Sequence, residues 1–253
     1  MCGACCLWTI PNNLKSIINM KVRGIFAALL LMMAGLQTAW AQKMVVTLTD
    51  NSKVRFNLLQ VKDVMFEECE YVDLGLPSGT LWATTNIGAA SPEDIGDYFA
   101  WGETSTKSNF GFDTYANALF TKYTISDATE LLPEDDAATA NWGNDWRMPS
   151  KEQWEELINS SYTTTEWTQL NGVDGRLIRS GSNGKSIFLP VTGYYSNANI
   201  IDTERGFFWS REMMNSNNDK SYYCFCLKIS SSSVQVGGWL RTCGLPVRPV
   251  RKK

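Results

Sequence analysis

Residues 141–158 read NWGNDWRMPSKEQWEELI, and the second half of that run decides what kind of structure the chain builds. Ser150 stands three residues before Gln153. At that spacing a hydroxyl caps a helix N-terminus while the amide side chain reaches back to the capping residue's own N–H. Met148-Pro149 forces an extended approach, because proline restricts the residue before it. Trp154, Leu157 and Ile158 then recur at i, i+3 and i+4, one apolar stripe on a short helix. The run is expected to be extended chain, turn and amphipathic helix, with Trp154 in the core. Arg147, between Trp146 and Met148, is expected to hold either a buried ion pair or a ring face.

Upstream, LLPEDDAATANWG carries a second helix signal. Pro133 suits the first helical position, and Glu134, Asp135 and Asp136 fall in the first turn, where carboxylates meet orphan N–H groups. A sharper reading of the same residues is a calcium site, with Asn144 and Asp145 as further oxygen ligands. The loop spacing of an EF-hand is missing.

Further out the texture is β. MVVTLT (44–49) and KVRFNL (53–58) alternate around Asp50-Asn51-Ser52 and read as a hairpin, with a third short strand over 61–66. YVDLGLPSGTLWATTNIG (71–88) breaks short apolar runs at Gly75, Pro77 and Ser78-Gly79. DYFAWGE (97–103) reads as another short strand, and 104–129 as a long loop. Strands are expected at 176–181, 185–195, 206–212, 222–230, 233–238 and 244–250. A helix-containing first half followed by an antiparallel meander is α+β.

The front of the chain reads as targeting. Lys21 and Arg23 precede an apolar run from Ile25 to Leu36, and Ala39-Trp40-Ala41 fits the cleavage rule. A run that short does not span a bilayer of about 30 Å. Residues 20–41 are therefore expected to be a signal peptide, 1–19 to lie upstream of the true start at Met20, and Gln42 to begin the mature chain. Removal of that leader takes away only basic charges and leaves an acidic, exported product. The hairpin segment then covers 42–69 and the main domain 70–253. After the leader Cys69, Cys224, Cys226 and Cys243 remain. Cys224 and Cys226 share one face of a strand; the readings left open are a bridge from either of them to Cys243, or free buried thiols.

The sequence has no histidine and a formal net charge of −3. This excludes histidine triads, Cys–His dyads and histidine-ligated zinc on this chain. The basic residues are scattered, so no stripe supports nucleic-acid binding. Ten tryptophans suit a core, but also sugar rings and protein surfaces. Trp101, Trp142 and Trp239 are the candidate ligand platforms.

Taken together, YVDLGLPSGTLWATTNIG, YFAWGE, DDAA, WGNDWRMPSKEQWEEL, LPVTGYY, FFWSR and GLPVRPV resemble the major paralogous domain family of exported Fibrobacter and Bacteroidetes proteins, over roughly 71–251 and in motif order. The resemblance implies a C-type-lectin-like domain: short helices against a looped antiparallel sheet, with the chain ends together. It brings no catalytic residue set. Lectins of that fold hold calcium with a Trp-Asn-Asp triplet and a Glu-Pro-Asn triplet. Here Trp142-Gly143-Asn144-Asp145 has an extra glycine and the second triplet is missing, so the lectin calcium site is not carried over. The fold is shared with formylglycine-generating enzymes, whose copper-binding cysteine pair gives Cys224 and Cys226 an enzymatic alternative.

The expected function is a non-enzymatic binding or surface-display module, exported to the periplasm, cell surface or medium, with a glycan or protein ligand. One alternative is a structural subunit of a surface assembly, its hairpin pairing with a neighbour's sheet edge. The other is an enzyme built on paired carboxylates such as Glu152, Glu155 and Glu156, or on the cysteine pair.

Overall fold

The computed structural model describes residues 43–47, 53–57, 70–116, 123, 129–214 and 222–253. The chain divides into two units, the first running to Glu68 and the second from Cys69 to Lys253. In the first, β1 (Lys43–Thr47) pairs antiparallel with β2 (Lys53–Asn57), Lys43 opposite Asn57 and Thr47 opposite Lys53. The third strand expected at 61–66, and Cys69, lie outside the described residues.

The second unit is mostly β-sheet with short helices, which is compatible with an α+β or a mainly-β class. A four-stranded sheet runs in the order β3 (Tyr71–Asp73), β4 (Thr80–Ala83), the terminal β16 (Val250–Lys252) and β6 (Trp146–Arg147). The two ends of the unit therefore meet, and Lys253 pairs with Asp73 at 3.0 Å. A small ladder joins β5 (Tyr98–Phe99) to β15 (Leu245–Pro246).

The two helices with described bounds follow their signals. Asp136 is the N-cap of α1 (Ala137–Trp142), behind a 3-10 turn over Pro133–Asp135. Its carboxylate accepts N–H bonds from Ala138, Thr139 and Met148, so it caps the helix and also fastens it to the chain that leads into the next one. The acidic triplet is thus split: Glu134 and Asp135 sit in the 3-10 turn, and Asp136 terminates it. In α2 (Lys151–Leu157) both halves of the capping box form, Gln153 N–H to Ser150 Oγ at 3.0 Å and Ser150 N–H to Gln153 Oε1 at 2.8 Å.

A three-stranded sheet pairs β7 (Thr163–Leu170), β8 (Val173–Ser180) and β9 (Ser186–Pro190). The hairpin of β10 (Tyr194–Ser196) and β11 (Asn199–Ile201) follows. A second three-stranded sheet pairs β12 (Gly206–Met213), β13 (Tyr223–Ile229) and β14 (Val234–Leu240). Alternation along β13 decides how this sheet is buried. Leu227 and Ile229 face one apolar cluster with Trp82, Trp154, Leu157 and Phe208. Cys224 and Cys226 face the other, with Phe99, Trp101, Phe207 and Trp209.

The bridge to Cys243 does not form; Cys224, Cys226 and Cys243 are free, buried thiols. The register explains it. Cys224 lies opposite Trp239 and Cys226 opposite Gly237, while Cys243 falls beyond the end of β14.

Candidate functional site

A shallow cleft of ≈ 400 Å³ is lined by Gly102 to Lys107, Thr114, Ala116, Glu134 and Asp135. The loop after β5 supplies one wall and the 3-10 turn before α1 the other. Lys107 holds Glu103 at 2.6 Å and donates to the Thr114 carbonyl at 2.9 Å. Glu103 Oε1 also accepts the Ala116 N–H at 2.7 Å, so this ion pair serves to shape the loop. Tyr123 O–H donates to the Asp135 carboxylate, and burial pushes that phenol far above its ordinary range.

Beside the cleft, the 3-10 turn Phe112–Thr114 places the exposed Thr114 on the cleft wall and leaves Phe112 52% exposed. The Phe112 ring lies 6.3 Å from that of Tyr222, and Tyr223, next in the chain, is 50% exposed. Phe112 and Tyr222 thus form an exposed aromatic pair next to the turn that brings Thr114 to the cleft, whose wall also holds Thr104, Ser105 and Thr106, while alternation turns Tyr223 to the face of Leu227 and Ile229. Sequence reasoning missed this pair. No local pattern signals it, because Phe112 lies in a 3-10 turn and Tyr222 just before β13.

The residues expected to bind ligand are dispersed. Trp101 is 0% exposed, donates its indole N–H to the Ser210 carbonyl at 3.0 Å and meets Tyr123 edge-on at 5.0 Å. It offers no face for stacking; it is core. Trp142 is half-buried with its ring edge-on to Trp146 at 5.0 Å. Trp239 is half-buried among Tyr194 at 4.8 Å and Phe207 at 4.7 Å, with the Lys228 ammonium 5.1 Å from its ring centre.

The five calcium candidates are also separated by role. Asp136 is buried and its oxygens are engaged by main-chain N–H groups; desolvation raises its pKa against those bonds. Asn144 and Asp145 are exposed in the turn before β6, Glu134 is exposed, and Asp135 is engaged by Tyr123. Among the described residues no group of three or more His, Cys, Asp or Glu converges on a point. Arg147 is half-buried, and its charge favours the ionised form of Asp136.

Two buried arginines were not foreseen. Arg248 donates to Asn86 Oδ1 at 2.7 Å, to the carbonyls of Ala83 and Thr84 at 3.1 and 2.5 Å, and to that of Phe188 at 3.0 Å. Burial pulls it down to about 9. Arg241 is also buried, its guanidinium 5.4 Å from the Tyr115 ring centre. The thiols are equally enclosed. Burial pushes Cys226 up to about 12 and Cys243 up to about 11.

Among the described residues no helix is long and apolar enough to cross a membrane. No protein-family model, no curated protein and no solved structure matches the chain.

Proposed function

We propose that residues 70–253 are a non-catalytic binding module of an exported protein, and that its ligand is a glycan taken by Phe112 and Tyr222. The observation that carries this reading is the pair of exposed rings, Phe112 and Tyr222, beside the turn that brings Thr114 to a hydroxyl-rich cleft. A sugar ring presents an apolar face and an equatorial belt of hydroxyls, so stacked rings beside hydroxyl and carboxylate groups match both halves. The leader at 20–41 supports export. The motif series from Tyr71 to Arg251 supports membership of the major paralogous domain family and a C-type-lectin-like fold, as does the meeting of β3, β4 and β16. The buried, upshifted thiols favour a packing role for Cys224 and Cys226 over the enzymatic one.

The direct test is a glycan array probed with the exported, purified protein, with and without calcium. Binding by the native protein that is lost in Phe112→Ala and Tyr222→Ala, while Trp142→Ala binds normally, supports the reading. A silent array together with capture of a protein ligand insensitive to both substitutions sinks it. The calcium arm separately tests Glu134 and Asp135.

A further inference from the structure

The sheet β12-β13-β14 has two unlike edges. The β12 edge is bulged between Trp209 and Met213 and is covered. Leu131 N–H donates to the Arg211 carbonyl, Arg211 N–H to that of Pro149 and Met213 N–H to that of Thr129, all at 2.9 Å. The β14 edge has none of this. From Val234 to Leu240 it reads VQVGGWL, with no charge, no proline and no bulge, the devices that normally protect an edge from pairing.

Which main-chain groups face outward follows from the register. Arg241 N–H bonds the Tyr222 carbonyl at 2.9 Å and Ser230 N–H that of Ser233 at 2.8 Å. These fix the hydrogen-bonded pairs at both ends of the β13–β14 hairpin. In an antiparallel ladder such pairs alternate with pairs whose N–H and C=O groups point away. Leu240, Gly238, Val236 and Val234 occupy the second kind, opposite Tyr223, Phe225, Leu227 and Ile229. Among the described residues the Leu240 carbonyl accepts the Cys243 N–H at 3.0 Å, and no other hydrogen bond reaches the outward groups of these four residues.

We propose that β14 pairs antiparallel with β14 of a second copy of this chain about a two-fold axis at Gly237, joining two three-stranded sheets into one of six strands. The strand is complementary to itself in this register. Val236 meets Gly238 of the second copy and Val234 meets its Leu240, so the outward N–H and C=O groups of Val236 and Gly238, and the Leu240 N–H, find partners and no like charges oppose. Leu240, 42% exposed in the single chain, gains an apolar neighbour. On the other face Gln235 lies opposite Trp239, and Gly237 opposite Gly237, where no side chain keeps the backbones apart. A second copy presents this same uncharged, proline-free edge with glycine at the axis, so pairing brings no charge and no bulky side chain between the two backbones.

Disulfide trapping tests both the contact and its register. At the axis, Gly237 and its counterpart form a non-hydrogen-bonded pair about 4.5 Å apart, within the roughly 4.4–6.8 Å that a disulfide spans. Gly237→Cys in the exported, purified protein is expected to cross-link under mild oxidation. An added Cβ there meets the flexible tip of Lys228, with Nζ at 3.0 Å. Gln235→Cys, separated from its counterpart by about 13 Å of strand, is expected not to cross-link. Sedimentation equilibrium of the native protein is expected to show twice the chain mass, and Val236→Pro and Leu240→Lys to show the single mass. Leu240→Lys alters an exposed side chain, so it reads the contact even where Val236→Pro does not fold. A native protein of single mass at every concentration overturns the proposal. So does a double mass that persists in Leu240→Lys with no cross-link at Gly237→Cys.

Discussion

The rings of Trp82 and Trp154 meet at 4.8 Å with their planes tilted by 46°. Trp82 belongs to β4 and Trp154 to α2, so this contact joins the helix to the sheet that contains the C-terminal strand. Trp154 also reaches Phe208 at 6.1 Å and donates its N–H to the Trp209 carbonyl at 3.2 Å. Trp154→Ala removes both packing and bond, and is expected to cost about 3–5 kcal/mol, read by urea denaturation. A variant of unchanged midpoint that had lost only ligand binding would make this ring a recognition surface instead.

Arg248 draws Asn86, Ala83, Thr84 and Phe188 onto one guanidinium. Lysine has neither the planar fork nor enough donors in the right directions. Arg248→Lys is expected to leave buried acceptors unpaired and to lower stability by about 3 kcal/mol or more. A melting temperature within a degree or two of the native value would show that the cage is dispensable.

Asp97 is half-buried, and burial alone raises its carboxyl above the ordinary 3.8. Folding therefore favours the protonated form. The contribution is full below that ordinary value and is lost as pH rises through the folded one. Asp97→Asn is expected to be close to neutral at about pH 3 and stabilising at about pH 7, with a flatter profile of melting temperature against pH. Parallel profiles for the two proteins would refute the assignment.

Cys224, Cys226 and Cys243 are enclosed, and burial holds all three protonated at neutral pH. Iodoacetamide at about pH 8 is expected to leave them unmodified in the native protein and to label them in urea, with each site read by peptide mass spectrometry. Rapid native labelling of Cys224 or Cys226 would restore a reactive role for that pair.

The parts of the fold that were legible in sequence rest on local rules. The capping box at Ser150 and Gln153 and the stripe of Trp154 and Leu157 are set by the chain itself. So is the alternation in β12 and β13. Strand β7, Thr163–Leu170, escaped because its residues are mostly polar and only lightly buried. Its turn was nonetheless written plainly: Asn171-Gly172, with φ of 50° and 86°, is the two-residue linkage that right-twisted strands prefer. Arg248 escaped for the opposite reason. A charged residue reads as surface, and only its setting between Val247 and Pro249 in an apolar run hinted that it is enclosed. Trp101 was open to either reading because an indole serves a core and a sugar equally well. The aromatic pair of Phe112 and Tyr222 joins residues far apart in the chain, which local periodicity does not relate.

The position of β16 sets a temporal order on the life of the protein. Val250–Lys252 lies between β4 and β6, inside the four-stranded sheet and not at its margin. A chain delivered N-terminus first, through a ribosome tunnel or a translocation pore, makes β4 early, pairs it with β3 and holds its other edge unmatched until Val250–Lys252 arrives. The sheet therefore closes only once that strand has been delivered, and a chain cut short before Val250 leaves two exposed ladders where one strand should have joined them.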